Sequence, residues 1–302
     1  MIRRIRDSLP TCMIITLMLT QLSCTAPIDI DTRNSEPVVV VYGYLTDEYK
    51  YQNVRVTKSS PYFEANTSIP VPDANVQITS SDGQAYTLKY EKEGYYTSPE
   101  KFAAKPGTTY HLTVEVQTDK ELEIYEAQTT ILPLVPIDSV TITPLLIMGF
   151  RHFSLNVYMQ EPAETANFYL FRFFLKDSIS NEKISKLITT DDRFYNGEYV
   201  SGASITMFED ATDEKILEFY KNRYDEDDDA YNYLLTPGDT VRVQVLNIEK
   251  GYCYFIQECI SEMYGENPFF GGPPSNITTN LSNGAVGFFT GFCIQEHTAV
   301  TP

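Results

Sequence analysis

The stretch Val38–Leu45 reads VVVVYGYL, and two alternating stretches follow it, Asn53–Thr57 (NVRVT) and Asn75–Thr79 (NVQIT). Hydrophobic and polar residues alternate there with a period of two, as they do in strands with one buried face. Turn sequences such as Ser81-Asp82-Gly83 separate further candidate strands. These strands are Tyr86–Tyr90, Gly94–Thr97, Thr109–Gln117 and Ile124–Thr130. About seven short strands with regular turns predict an Ig-like antiparallel β-sandwich over residues 38–131.

The second half of the chain predicts another β-rich domain, a sandwich or partial barrel, over residues 137–302. Leu132–Pro136 (LPLVP) carries two prolines that interrupt strand pairing, which predicts a linker over residues 132–136. Helical spacing of hydrophobic residues predicts a packed helix over 248–264, and a weaker pattern indicates a second helix over 213–224. Candidate strands are Val140–Thr143, Phe153–Met159, Phe168–Leu175, Ser204–Phe208, Thr240–Asn247 and Ala285–Ile294.

The length, net charge and aromatic content of the chain narrow the range of functions that it can have. The chain has 302 residues, a length that suits two domains, and a formal net charge of −18. An acidic chain repels phosphate backbones, so we expect no nucleic-acid partner. Trp is absent, whereas Tyr occurs 22 times and Phe 17 times, which favours strands and turns over long helices.

The N-terminal segment predicts export and lipid attachment. A basic start with Arg3, Arg4 and Arg6 precedes a short apolar run, and Leu22-Ser23-Cys24 places a small residue before a cysteine, as in a bacterial lipobox. We therefore expect a lipoprotein signal peptide over residues 1–23, acylation of Cys24, and a tether over residues 24–37. Acyl chains would be the membrane anchor. The alternative is an ordinary signal peptide in which Cys24 is incidental.

Five segments, taken in this order, resemble the Bacteroidota lipoproteins of the domain of unknown function 4249 family. They are Val38–Leu45, Val56–Phe63 (VTKSSPYF), Val71–Ile78 (VPDANVQI), Gly94–Leu112 with its PGTTYHL run, and Gly238–Phe289 with NPFFGGPPSNI and NGAVGFF. The resemblance implies a cell-envelope lipoprotein at the outer membrane, often encoded beside a TonB-dependent transporter. It implies no known activity and no catalytic residues.

Motifs for catalysis and metal binding are absent from the sequence. The three histidines have no zinc-site spacing, and neither a Gly-x-Ser-x-Gly elbow nor a phosphate-binding loop occurs. We predict no catalytic residues, no cofactor and no metal site of the usual kind. The acidic run supplies weak Ca²⁺ candidates, for which a solvated loop is the alternative. These candidates are Asp225, Asp227 and Asp229.

Aromatic residues in polar surroundings are the candidate ligand or partner contacts, and packing in the core is the alternative. They are Tyr195, Tyr199, Tyr231, Tyr233, Phe269 and Phe270. The cysteines at 253, 259 and 293 allow a disulfide, Cys259–Cys293 or Cys253–Cys293, or three buried thiols.

We therefore expect a non-catalytic lipoprotein, anchored in the outer membrane and facing the cell surface or the periplasm. It would be an accessory or binding component of TonB-dependent nutrient uptake, with a small ligand and an outer-membrane transporter as partners. One alternative is a structural or adhesive surface lipoprotein without a small ligand. A third possibility is a hydrolase that uses clustered carboxylates from residues 191–229.

Overall fold

A computed structural model describes residues 37–60, 68–118, 121–175, 178–179, 181–224, 229–264 and 277–302. The predicted signal peptide, Cys24 and nearly all of the tether lie outside these ranges. So do the contact candidates Phe269 and Phe270 and the Ca²⁺ candidates Asp225 and Asp227.

The first part of the described chain consists of short strands, as the alternating pattern predicts. They are β1 (Val39–Thr46), β2 (Asn53–Lys58), β3 (Ile69–Pro70), β4 (Asn75–Ser80), β5 (Ala85–Tyr90), β6 (Tyr95–Thr97), β7 (Thr109–Gln117) and β8 (Leu122–Thr130). Side chains along β1 alternate between buried and half-buried, so the valines at 39 and 41 point into a core while the tyrosines at 42 and 44 face outward.

The second part contains longer strands and two helices. The strands are β9 (Ser139–Ile147), β10 (Phe150–Gln160), β11 (Phe168–Leu175), β12 (Ser178–Ile179), β13 (Ile188–Asp191), β14 (Tyr199–Asp210), β15 (Leu234–Leu235), β16 (Thr240–Asn247), β17 (Val286–Phe292) and β18 (Ile294–Val300). The helices are α1 (Glu214–Arg223) and α2 (Lys250–Tyr264), with short 3-10 helices over Ile184–Lys186 and Asp229–Tyr233.

The first sheet curls into a nearly closed barrel. Its strand order is β17-β1-β2-β6-β5-β4-β7-β8, with β3 beside β2. At the far end of this order, the chain just before β17 returns to β8, where the Ser282 N–H donates to the Glu126 carbonyl at 2.9 Å. The barrel interior is filled by apolar side chains from every side, among them Val41, Val54, Ile78 and Leu112.

The second β-rich part is a sandwich of two sheets. One sheet has the order β15-β14-β10-β9, and the other has the order β12-β11-β16-β18 with β13 also on β11. Their facing side chains form one core, in which Phe173 of β11 meets Phe208 of β14 with ring centroids 5.3 Å apart. The predicted mainly β fold is confirmed. The part predicted as an Ig-like antiparallel β-sandwich forms the nearly closed barrel, and the second β-rich part, predicted as a sandwich or partial barrel with one or two helices, is a sandwich with two helices among its described residues.

Strand β17 belongs to the first sheet, although it comes late in the sequence. Residues Ala285–Ile294 were predicted to close the second domain, but β17 pairs in parallel with β1 of the first sheet. After Cys293 the chain passes into the second sheet as β18, which pairs with β16. The described residues group as one unit. The boundaries 38–131, 132–136 and 137–302 stay a prediction.

Helix α2 packs between the two β parts. Its buried face includes Tyr252, Phe255 and Ile256, which contact Phe168 of β11 and Phe288 of β17 in one apolar cluster. The helix was predicted over 248–264 and begins two residues later. Within the described part of the chain, neither helix combines the length and hydrophobicity needed to cross a membrane.

Candidate functional site

A cleft of about 530 Å³ lies between the outer face of β1 and β2 and the outer face of β11. We call it the tyrosine cleft, because four tyrosines line it together with three basic side chains. These residues are Tyr42, Tyr44, Tyr51, Tyr95, Lys50, Arg55 and Arg172. Ligand pockets typically measure about 300–1,000 Å³, so the cleft has room for a small molecule.

Strand periodicity positions the two walls of the cleft. On β1 the inward residues fill the barrel core, which leaves Tyr42 and Tyr44 on the outer face. On β11 Tyr169, Phe171 and Phe173 belong to the sandwich core. The alternate residues Phe168 and Leu170 belong to the cluster around α2, and Arg172 follows them on that face and lines the cleft.

Arg172 is a half-buried cation of the cleft, as Lys50 and Arg55 are. Its guanidinium carbon lies 5.0 Å from the ring centroid of Tyr44 and 5.2 Å from that of Phe292. Those two rings are themselves stacked, with centroids 5.4 Å apart. Aromatic faces attract a cation, so the two rings hold the guanidinium at the cleft wall. Among the described residues, no carboxylate forms an ion pair with Arg172.

The other two cations of the cleft are already engaged. Lys50 forms an ion pair with Glu48 at 2.7 Å. Arg55 donates from Nε to the Glu93 carbonyl at 3.1 Å and from Nη2 to the Ser68 hydroxyl at 2.8 Å, and its guanidinium lies 5.3 Å from the Tyr95 ring centroid. These contacts fix both side chains, so among the described residues Arg172 is the lining cation without an acceptor.

The hydroxyl groups of Tyr42 and Tyr252 share a hydrogen bond of 2.7 Å beside the cleft. Burial raises the pKa of Tyr42 and that of Tyr252 above the ordinary value for tyrosine. Both hydroxyls therefore stay protonated and neutral at physiological pH. This pair couples the cleft to α2, because Tyr252 is a buried residue of that helix.

The tyrosines predicted as contacts lie outside the tyrosine cleft. Tyr195 and Tyr199 are 43% and 50% exposed, and that they contact a ligand stays a prediction. Tyr231 and Tyr233 are half-buried, with Tyr231 packed against Tyr220 at a ring distance of 5.4 Å and Tyr233 against Phe173 at 6.1 Å. For these two, the packing alternative matches the structure.

Sequence reasoning missed Tyr42, Tyr44 and Arg172 as site residues. The alternating pattern marks the two tyrosines only as part of a strand, although their spacing of two residues places them on one face. Arg172 is a single charge within the apolar stretch FYLFRFFL, a signal that could have marked it.

A second cavity, of about 320 Å³, lies between the two sheets of the sandwich, and Tyr195 lines it together with Glu161 and Asp192. Glu161 is 2% exposed. Its oxygens accept hydrogen bonds from the Tyr169 hydroxyl at 2.7 Å and from the Asn167 amide at 2.9 Å. Burial, followed by the nearby Asp192 charge, raises the pKa of Glu161 despite these hydrogen bonds.

Replacing Glu161 by glutamine should change how stability depends on pH. A carboxyl whose pKa is raised in the folded state supports folding below its unfolded pKa, and that support is lost as pH rises through the folded pKa. Glu161→Gln removes the ionisation, so its melting temperature relative to the wild type should be higher at pH 8 than at pH 4. Thermal denaturation at both pH values checks this, with the exposed Glu164→Gln as control. Parallel pH profiles for Glu161→Gln and the wild type would contradict the assignment.

The carboxylates of residues 191–229 do not meet in one cavity among the described residues. Asp191 and Asp192 line the second cavity, and Asp191 also pairs with Arg193 at 2.6 Å. Asp213 instead caps α1 by accepting from the Lys215 N–H at 3.0 Å. In the described ranges, no group of His, Cys, Asp or Glu side chains has the arrangement of a metal site. Asp229 begins a 3-10 helix, and its partners in the acidic run lie outside the described residues.

The possible Cys259–Cys293 disulfide is not formed in the structure. Cys253, Cys259 and Cys293 are free and buried, as in the alternative of three buried thiols. Cys259 belongs to the cluster around α2, whereas Cys293 belongs to the barrel core, so the two thiols serve different packed regions. Burial raises the pKa of Cys259 to about 11 and that of Cys293 to about 12, which makes both poor nucleophiles near neutral pH.

Comparisons with known proteins identify the family of this chain and several solved structures of distant similarity. The model of a family described as Domain of unknown function (DUF4249) matches residues 25–298, which confirms the family resemblance. No curated protein matches the chain.

Solved structures with distant similarity include fibronectin-type segments from chicken and a bacterial protein. The FN1–FN3 domains of chicken CNTN1 are 13% identical, with 70% of this chain and 60% of that chain covered and a TM-score of 0.23. A two-domain fibronectin type III segment of chicken tenascin is 8% identical, with coverage of 70% and 91% and a TM-score of 0.19. A DUF4785 family protein from Legionella pneumophila is 9% identical, with coverage of 68% and 52% and a TM-score of 0.23.

Proposed function

We propose that this chain, which belongs to the DUF4249 family, is a non-catalytic lipoprotein of the bacterial outer membrane that binds a small ligand. In this proposal it is an accessory component of a TonB-dependent transporter in Bacteroidota and passes the ligand to that transporter. The tyrosine cleft is the observation that carries the binding role.

The cleft has the properties of a recognition site. Its walls come from two different β parts, so its shape is set by the packing of α2 between them. Tyrosine rings offer flat apolar faces, and their hydroxyls offer hydrogen bonds, which suits ligands with both polar and apolar surfaces. Lys50 is paired with Glu48, so Arg55 and Arg172 against one lining carboxylate, Glu182, leave the cleft with a local positive charge on an otherwise acidic chain. A ligand site with fixed side chains and charge complementarity is the simplest use of this arrangement.

The predicted anchor enters the fold beside the cleft. The tether would end at residue 37, and β1 begins at Val39 and supplies Tyr42 and Tyr44. Fourteen residues from Cys24 to Pro37 span at most roughly 50 Å when extended. An acylated Cys24 would therefore hold the start of β1 within that distance of the membrane, where an outer-membrane transporter lies.

The test of the accessory role is capture of the full chain, through a C-terminal tag, from gently solubilised native outer membranes. We expect a TonB-dependent transporter in near-equal amount by quantitative mass spectrometry. A Cys24→Ser variant, which has no thiol to acylate, should leave the membrane fraction and lose that partner. Recovery of the acylated protein alone would contradict the accessory role and favour a structural or adhesive lipoprotein.

A further inference from the structure

We propose that the ligand of the tyrosine cleft carries a carboxylate group and that Arg172 binds this group. This inference rests on the proposed ligand-binding function and names the chemical class of the ligand.

The first argument is that Arg172 has no acceptor. A guanidinium offers five N–H donors, and none of those of Arg172 has a hydrogen-bond acceptor among the described residues. Two other arginines, by contrast, are paired, Arg193 with Asp191 at 2.6 Å and Arg242 with Glu296 at 2.8 Å. The chain has 41 acidic and 23 basic residues, yet no described carboxylate forms an ion pair with Arg172.

The second argument is burial. Arg172 is half-buried beside the stacked Tyr44 and Phe292 rings, which give its charge a cation–π contact but no anionic partner. A charged hydrogen bond formed away from bulk water is stronger than one formed on an exposed surface. An anion that enters the cleft would therefore form a stronger hydrogen bond with Arg172 than with a fully exposed lysine.

The third argument concerns the kind of anion. The planar guanidinium matches a carboxylate through two parallel hydrogen bonds. Phosphate also fits an arginine, but its second charge needs further donors. In this cleft Lys50 is paired with Glu48 and Arg55 is bonded to Ser68 and to the Glu93 carbonyl. Among the described residues, Arg172 is thus the lining cation whose planar fork has no acceptor, and a carboxylate fills such a fork without needing further donors.

Matched acid and ester probes test this inference. We would screen trigalacturonate, N-acetylneuraminate and 4-hydroxybenzoate, each beside its methyl ester, together with inorganic phosphate and sulfate, by thermal shift and then by calorimetry. At least one acid should bind, and its ester should bind at least about tenfold more weakly, because a hydrogen bond to a charged group contributes about that factor or more. Arg172→Gln should weaken binding of the acid by a similar factor.

Two further variants keep the result interpretable. Arg242→Gln removes an arginine that also lies over an aromatic ring, Phe174 at 3.9 Å, on the neighbouring strand and outside the cleft, so it should leave binding unchanged. Arg172→Lys keeps the positive charge but lacks the planar fork, so it should bind the acid more tightly than Arg172→Gln and less tightly than the wild type. Its melting temperature should equal that of the wild type.

The outcomes separate this inference from the function on which it rests. Equal binding of an acid and its ester, or unchanged binding in Arg172→Gln, would overturn the carboxylate assignment and leave cleft binding intact. Tighter binding of phosphate than of every acid would also overturn it. If no acid or ester stabilised the protein, both the inference and the ligand-binding role would be contradicted.

Discussion

Tyr252→Ala should lower the free energy of unfolding by about 3–5 kcal/mol, as deletion of a large aromatic side chain from a packed interior does. Tyr252 is fully buried at the junction where α2 meets both β parts. Its ring centroid lies 5.4 Å from that of Phe288 in β17, and its hydroxyl is bonded to Tyr42 beside the cleft. The substitution removes these contacts together and leaves a cavity under the cleft.

Urea denaturation followed by circular dichroism measures this loss. Tyr254→Ala is the matched control, since Tyr254 lies on the same helix but is 39% exposed, and it should cost less than about 1 kcal/mol. Tyr252→Phe keeps the ring and should cost about 1 kcal/mol, the usual value of one hydrogen bond. Similar losses for Tyr252→Ala and Tyr254→Ala would show that α2 does not join the two β parts as described.

Gly287→Ala should also destabilise the protein by about 3–5 kcal/mol, because it combines backbone strain with overlap. Gly287 has φ +107°, which a residue with a side chain rarely adopts. A Cβ atom there would lie 2.1 Å from the Val41 carbonyl oxygen, which is backbone and cannot turn away. Relief requires β17 to separate from β1, where Gly287 is paired with Val41.

Gly284→Ala is the control that introduces backbone strain from a positive φ without steric overlap. Gly284 also has a positive φ, +73°, but an added Cβ would meet no atom within 4 Å. Its replacement should cost about 1 kcal/mol, the usual penalty of the left-handed region. Thermal and urea denaturation of both variants gives the comparison, and equal losses would contradict the close pairing of β17 with β1.

Local patterns predict the strands of this fold well. The alternating stretch Asn75–Thr79 lies within β4, and the helical spacing over 248–264 produces α2. Both are properties of neighbouring residues, so the sequence displays them directly. The partner of β17 was not predictable in this way, because a parallel pair between residues about 40 and 286 depends on packing across the whole chain.

The site was harder to predict than the fold. Tyr42 and Arg172 lie far apart in the sequence, and only the packing of β1, α2 and β11 brings them to one cleft. The sequence left a disulfide and three buried thiols open as alternatives for a related reason. Cys259 and Cys293 both lie on buried elements, but the crossover after β17 places Cys293 in the barrel core and away from the cluster of Cys259.

The most direct test of ligand binding in the tyrosine cleft is a crystal structure of the protein bound to its tightest acid probe. We predict electron density for the probe between Tyr44 and Tyr95, with its carboxylate within hydrogen-bond distance of the Arg172 guanidinium. Probe density only at another place on the protein, with the cleft occupied by water, would contradict the account.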